Sequence, residues 1–242
     1  MSKYTKEFII PYYDTNKNGF VRPESLLSYM GETSSLHSDF LGVGIEALVK
    51  HNVVWMLNRW RVRFYKYPKA LDKVTIGTWS SGINRFYATR EFVIYDEDNE
   101  KVVEATTQWV FLDTLKKRPI RVPQELSQIY GTVVEKNLHD FYDFKDEFST
   151  TSGIDFHVRK SDIDYNHHVN NVKYLNWMLE AIPSDIDDKY KLYELDIQYK
   201  KEIKLGSTIN SSLTENREEN FTYLHKITDG EELNAYGRTV WK

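Results

Sequence analysis

Cysteine is absent from this chain of 242 residues. The absence excludes disulfide bonds, cysteine-ligated metal centres and a cysteine nucleophile, and it fits a reducing compartment. No apolar stretch of signal-peptide length follows Met1, and no run reaches the roughly 18 apolar residues of a membrane helix. We therefore expect a cytoplasmic protein without a membrane span.

Several functional patterns are also missing. The sequence has no Gly-x-Ser-x-Gly elbow and no glycine-rich nucleotide-binding motif. Residues 14–19 begin like a calcium loop, but Ser25 stands at the twelfth position, where such a loop needs glutamate. His167 and His168 are adjacent, which is not the spacing of helical zinc ligands. We expect no metal and no cofactor, and the formal net charge of −4 does not favour a nucleic-acid partner.

The chain does contain an internal repeat. Residues 14–19 resemble residues 164–169, and a helix-like segment follows each of them. Residues 65–72 resemble residues 199–206, and β-rich segments with hairpin turns follow in both halves. The repeat predicts a duplicated domain of one helix and an antiparallel sheet, which is an α+β fold.

The repeat also predicts the domain organisation. Residues 1–123 form the N-terminal domain and residues 152–242 form the C-terminal domain. The polar and charged residues 124–151 read as the linker. Pro23 suits the first turn of the helix in the N-terminal domain.

The densest polar cluster lies at residues 159–171. Asp164, Asn166 and His168 alternate, so they would share one face of an extended segment. A carboxylate, an amide and an imidazole on one face can orient and activate water, and backbone N–H groups of the following helix can stabilise an oxyanion. A capped loop without catalytic function is the alternative, because Asp and Asn are common in turns and N-caps.

The run from Asp162 to Tyr174, followed by Trp177 and Glu180, resembles the signature of the acyl-acyl-carrier-protein (acyl-ACP) thioesterases of plants and bacteria. Further similarity covers nearly the whole chain, including residues 63–68, 105–110 and 120–123. The resemblance implies a tandem double hotdog fold, in which a sheet in each half wraps around one central helix. It also implies hydrolysis of fatty acyl-ACP thioesters, with acyl carrier protein as the partner.

The resemblance assigns catalytic roles to Asp164, Asn166, His168 and Glu202. Plant members carry a cysteine after the glutamate, where this chain has Ile203, so the reaction would need no cysteine here. Glu202 or Asp164 could deprotonate a water, or Asp164 could attack the carbonyl; these alternatives stay open. The plastid transit peptide of plant members is absent, which points to a bacterial-type protein.

The two halves differ at these positions. The repeat aligns Asn18 with His168 and Pro68 with Glu202. The first half is therefore predicted to lack catalysis and to shape the acyl pocket, as it does in the family. Our candidate pocket residues are Met30, Leu36, Val54 and Trp55; packing in the core is the alternative role for each of them.

Two other functions fit the same fold. One is an acyl-CoA thioesterase, and the other is a catalytically silent acyl-binding protein. The complete set of polar residues in the second half argues against the silent protein. A homodimer is a further expectation.

Overall fold

The computed structural model describes residues 3–145, 148–164, 167–216 and 221–242. The polypeptide divides into two compact units. Unit 1 comprises Met1–Asn58 and Val62–Asp140, and unit 2 comprises Arg59–Arg61 and Phe141–Lys242.

Unit 1 contains one long helix and a mainly antiparallel set of strands. The strands follow the order β1–β3–β4–β5–β2, with β6 paired to β5. The elements are β1 (Tyr4–Ile9), α1 (Pro23–Phe40), α2 (Ile45–Val49), β2 (Val53–Phe64), β3 (Lys73–Asn84), β4 (Tyr87–Tyr95), β5 (Lys101–Asp113), β6 (Arg118–Pro119) and α3 (Gln124–Tyr130).

Unit 2 repeats this plan. Its strands follow the order β7–β9–β10–β11–β8, so each strand has a counterpart at the same place in unit 1. The elements are β7 (Ser152–His157), α4 (Asn171–Glu180), α5 (Ser184–Lys189), β8 (Leu192–Tyr199), β9 (Thr208–Glu215), β10 (Thr222–Asp229) and β11 (Glu232–Trp241). The predicted duplication of a helix and an antiparallel sheet is confirmed.

The helix in each unit lies against its sheet through an apolar face. In unit 1, Pro23 occupies the first turn of α1, and Leu26, Leu27 and Met30 on this helix are fully buried. In unit 2, the Asn170 side chain caps α4 by accepting the Val172 N–H at 3.0 Å. This bond satisfies one of the donors that the first helical turn leaves unpaired.

The α4 helix packs closely on β11 at Gly237. A Cβ atom at this position would overlap the side chain of Met178 on α4 and lie 3.3 Å from the Cβ of His225 on β10. Leu175 and Met178 are completely buried here. The missing side chain at Gly237 is what lets the helix approach the sheet.

The register of the repeat differs from the one that the sequence predicts. The Arg22 N–H donates to the Asp14 oxygen at 2.9 Å, and the Asn170 N–H donates to the Asp162 oxygen at the same distance. These two bonds make Asp14 the counterpart of Asp162. The polar turns, the isolated β-bridges and the starts of α1 and α4 align in the same way. The equivalent pairs are Asp14 and Asp162, Asn16 and Asp164, Phe20 and His168, and Pro23 and Asn171.

After β2 and β8, the alignment of the two halves differs from the predicted one by a smaller amount. The Lys66 N–H donates to Val102 O at 3.3 Å, and the Lys201 N–H donates to Asn234 O at 3.2 Å. Tyr67 is therefore the counterpart of Glu202, and the alignment of Pro68 with Glu202 is wrong by one residue. The alignment of Asn18 with His168 is wrong by two.

The predicted linker at residues 124–151 contains α3 and two anchored segments. Asn137 donates its backbone N–H to the buried Glu91 carboxylate at 3.1 Å, within unit 1. Tyr142 donates its backbone N–H to Asp196 at 3.3 Å, within unit 2. The domain boundaries at residues 123 and 152 stay a prediction.

Candidate active site

The loop between β7 and α4 is a tight turn. Ile163 and Val169 form an isolated antiparallel bridge. Inside it, the Asp164 N–H donates to His168 O at 2.8 Å and the His167 N–H donates to Asp164 O at 3.0 Å. His167 has a positive φ of 63°, a conformation that few residues other than glycine adopt. In unit 1, Gly19 holds the equivalent position with φ of 77°.

This turn changes how the predicted residues meet. The expectation that Asp164 and His168 belong to one extended segment is wrong, because the Asp164 N–H is hydrogen-bonded to His168 O. The turn itself brings the two residues together, since the His168 N–H donates to Asp164 Oδ1 at 3.3 Å. Asn166 lies outside the described residues.

The structure places Glu202 next to His168. His168 Nε2 lies 2.8 Å from Glu202 Oε2, within hydrogen-bond distance. The two side chains are 53% and 59% exposed, so water and a substrate can reach the pair. Two residues that are 34 positions apart in sequence are thus in direct contact, and their catalytic role stays a prediction.

The segment that carries Glu202 is held on both sides. Before it, the N–H groups of Lys200 and Lys201 both donate to the Asn234 carbonyl, at 2.8 and 3.2 Å. After it, Ile203 is buried with an exposed fraction of 3%. The position of the plant cysteine is therefore a core position here, filled by an apolar side chain.

The first turn of α4 faces the same loop. Its N–H donors are partly used, since Val172 donates to Asn170 Oδ1 at 3.0 Å and Lys173 donates to Asn170 O at 2.8 Å. Among the described residues, nothing accepts a hydrogen bond from the Asn171 N–H. This donor is the one that could face an oxyanion.

Two tyrosines to which the sequence patterns assigned no role fix this region. Tyr199 at the end of β8 donates its hydroxyl to Asn171 O at 2.9 Å. Tyr174 on α4 packs edge-on against Tyr199, with ring centroids 5.1 Å apart. Burial, together with the nearby charge of Glu202, raises the pKa of Tyr174. The sequence could have indicated a role for Tyr174, because this residue lies inside the run from Asp162 to Tyr174 that resembles the family signature.

Unit 1 has no His–Glu contact at the equivalent place. Phe20 replaces His168 and bridges to Lys69, while Tyr67 replaces Glu202 and stacks on Phe64 with centroids 5.5 Å apart. The conclusion that the first half lacks the imidazole and the second carboxylate therefore holds with the corrected residues.

The four candidate pocket residues lie in different surroundings within unit 1. Met30 is completely buried. Leu36 and Val54 are half-buried. Trp55 packs on a cluster of Phe111, Val122, Leu126 and Tyr130, with its ring centroid 4.8 Å from that of Phe111. The role of these four residues in binding an acyl chain stays a prediction.

Metal-binding and membrane-spanning features can be judged for the part of the chain that the structure describes. That part has no group of three or more His, Asp or Glu side chains that could hold a metal ion. None of its helices has the length and apolar composition needed to cross a membrane.

Comparison with protein families decides the identity. Residues 1–130 match the profile of the acyl-ACP thioesterase N-terminal domain, and residues 145–242 match the profile of its C-terminal domain. The chain belongs to the acyl-ACP thioesterase family. The family membership that the sequence resemblance predicted is confirmed.

Individual relatives agree with the family profiles. A chloroplast palmitoyl-acyl carrier protein thioesterase of Gossypium hirsutum is 29% identical over 263 residues, which cover 99% of this chain and 63% of the relative. An oleoyl-acyl carrier protein thioesterase of Arabidopsis thaliana is 25% identical, with coverage of 99% and 76%. The chain thus spans about two thirds to three quarters of the length of these plant relatives.

A solved thioesterase structure has the same fold. A crystal structure described as an oleoyl thioesterase from Lactobacillus plantarum superposes with a TM-score of 0.92 at 27% identity, covering 100% of this chain and 96% of that one. The predicted α+β double hotdog fold is confirmed, with α1 and α4 as the helices of the two hotdog units.

Proposed function

We propose that this acyl-ACP thioesterase family member hydrolyses fatty acyl-ACP thioesters, releasing a free fatty acid and holo-ACP. The observation that carries the proposal is the contact of 2.8 Å between His168 Nε2 and Glu202 Oε2 in unit 2. Both plant relatives described above are named for acyl carrier protein thioesters, which supports the carrier protein over coenzyme A as the donor.

The pair supplies the proton chemistry that hydrolysis needs. A water between the pair and the thioester carbonyl loses a proton to Glu202 or to the imidazole of His168, and its oxygen attacks the carbonyl carbon. The tetrahedral oxyanion faces the Asn171 N–H at the start of α4. When the C–S bond breaks, the proton goes to the departing sulfur, which leaves as the carrier thiol.

Asp164 supports this pair from the other side of the turn. Its carboxylate accepts the His168 N–H at 3.3 Å, so it fixes the backbone that carries the imidazole. Asn166 completes the predicted set by analogy with the family signature. The alternative in which Asp164 attacks the carbonyl leads to an acyl-enzyme anhydride, which rapid-quench mass spectrometry would detect.

A hydrolysis screen tests the proposed function. Purified protein is assayed with acyl-ACP and acyl-CoA thioesters over a series of chain lengths. We expect a higher kcat/KM with acyl-ACP than with acyl-CoA of the same chain. Equal or faster turnover of acyl-CoA would reassign the donor, and binding of acyl-ACP without release of fatty acid would identify a silent binding protein.

Met30 tests whether unit 1 sets the chain length. Met30 is completely buried on α1, so a Met30→Trp variant adds bulk inside unit 1. If α1 lines the acyl pocket, the preferred chain becomes shorter, because each excluded methylene forfeits about 0.8 kcal/mol of burial. The same substrate series measures the shift. A variant that loses stability and keeps its chain-length preference would place Met30 in the core alone.

A cytoplasmic location and a homodimer belong to the same proposal. Cell fractionation checks the first, and size-exclusion chromatography with light scattering checks the second.

A further inference from the structure

Asp162 is a buried carboxylate beside the candidate site. Its side chain is 1% exposed. The Arg159 backbone N–H donates to Asp162 Oδ2 at 2.9 Å, and the Arg159 guanidinium lies 3.3 Å from both carboxylate oxygens. Lys173 Nζ, in the first turn of α4, lies 3.4 Å from Asp162 Oδ1. One carboxylate thus joins the segment before the catalytic turn to the helix after it.

The backbone of Asp162 closes the same turn. Its carbonyl oxygen accepts the Asn170 N–H at 2.9 Å, and the Ile163–Val169 bridge starts at the next residue. Burial alone would raise the pKa of Asp162, but the hydrogen bonds from Arg159 and the charge of Lys173 outweigh it and lower the pKa. The carboxylate is therefore ionised when the site works near neutral pH.

Unit 1 has the same backbone frame with different side chains. Asp14 is the counterpart of Asp162, and its carbonyl oxygen accepts the Arg22 N–H at 2.9 Å. Its carboxylate instead accepts the Tyr29 hydroxyl at 2.5 Å. Pro11 and Ser25 stand at the positions of Arg159 and Lys173. The two cations occur in the unit that carries the His–Glu pair, which links them to the site rather than to the fold.

We propose that Asp162 is a positioning residue for thioester hydrolysis. It holds the turn that carries Asp164 and His168 against the first turn of α4, so that His168 stays within hydrogen-bond distance of Glu202. Asp162 is buried and does not touch the substrate; it acts through the turn. The inference rests on the proposed function of the His168–Glu202 pair.

Asp162 would matter to the rate because catalysis tolerates only a small displacement of the reacting groups. Without the carboxylate charge, Lys173 loses its counter-ion inside a partly buried contact, which is costly. The turn and the helix are then free to separate. A displacement of about 1 Å in a catalytic group can lower a rate on the order of 10²-fold.

The test compares Asp162→Asn with Asp14→Asn, the same change at the equivalent position of unit 1. Both variants are assayed with acyl-ACP below their unfolding temperatures, which circular dichroism establishes. We expect Asp162→Asn to lower kcat on the order of 10²-fold with KM changed by much less. Asp14→Asn should lower the Tm and leave kcat within about twofold of wild type.

Three further variants separate the outcomes. Lys173→Met should lower kcat in the same direction, and it serves if Asp162→Asn does not fold. Adding Lys173→Met to Asp162→Asn should cause little further loss, because both remove one contact. Full kcat in folded Asp162→Asn or in Lys173→Met, together with a slow Glu202→Gln variant, overturns the role of Asp162 alone. A fully active Glu202→Gln variant overturns the proposed site itself.

Discussion

Replacing Glu202 by glutamine is expected to lower kcat for acyl-ACP hydrolysis by on the order of 10²–10⁴-fold, the usual effect of losing a positioned acid or base. The amide keeps the size of the side chain but cannot take up a proton from water. His168→Ala removes the partner at 2.8 Å and should fall in the same range. Because the two groups act as one pair, the double variant should lose little more than either single one.

Matched controls make this result specific. Glu232 is also an exposed carboxylate of unit 2 and pairs with Lys201, so Glu232→Gln removes an acid near the site without touching the pair. In unit 1, Phe20→Leu changes the counterpart of His168. Both controls should keep kcat close to wild type. Turnover at the wild-type rate in folded Glu202→Gln and His168→Ala would remove the pair from the mechanism.

The second large effect is a loss of stability in mild acid, caused by buried histidines. His225 on β10 is fully buried, with Nε2 2.9 Å from Thr239 Oγ1. Its Nδ1 has no hydrogen-bond partner among the described residues, and burial lowers its pKa to about 3. Burial, and then the charge of Arg90, lowers the pKa of His37 to about 4.

Acid favours the unfolded state, because both pKa values are lower in the folded protein than in the unfolded chain. Both imidazoles are neutral in the folded protein and take up a proton on unfolding below a pKa of about 6.5. Their contribution to stability is complete above that pH and is lost as the pH falls towards the folded values. From about pH 6 to about pH 4.5, each should contribute a slope of about 1.4 kcal/mol per pH unit to the free energy of unfolding.

His225→Phe should remove one of these two slopes. Phenylalanine is chosen because the equivalent residue of unit 1 is Phe92, which is fully buried on β4. Urea unfolding at several pH values measures the slope for wild type, His225→Phe and His51→Gln. His51 is exposed, so its variant should behave as wild type. An unchanged slope in His225→Phe would mean that His225 does not control acid stability.

Much of the fold was predictable because the determinants are local and repeated. Pro23 marks the start of α1. The turns at residues 96–99 and at Asp229–Gly230 separate β4 from β5 and β10 from β11. Such signals depend on backbone preferences of single residues, and finding them twice in one order predicts a duplicated sheet around a helix.

The register of the repeat was not predictable from these signals. Asp and Asn alternate in both turns, at 14, 16 and 18 and at 162, 164 and 166. A slip of two residues therefore preserves the pattern and places polar residue on polar residue. The backbone hydrogen bonds, the isolated β-bridges and the helix starts distinguish the two registers, and they show that Phe20, not Asn18, is the counterpart of His168.

The family, the duplication and the identity of the polar residues in the second half follow from the order of residue types along the chain. Tertiary structure decided which of them meet. The contact between His168 and Glu202 exists because a tight turn and the end of β8 converge at the start of α4. The role proposed for Asp162 also depends on tertiary structure, since the carboxylate is buried in contact with Arg159 and Lys173 only when the chain folds back on itself.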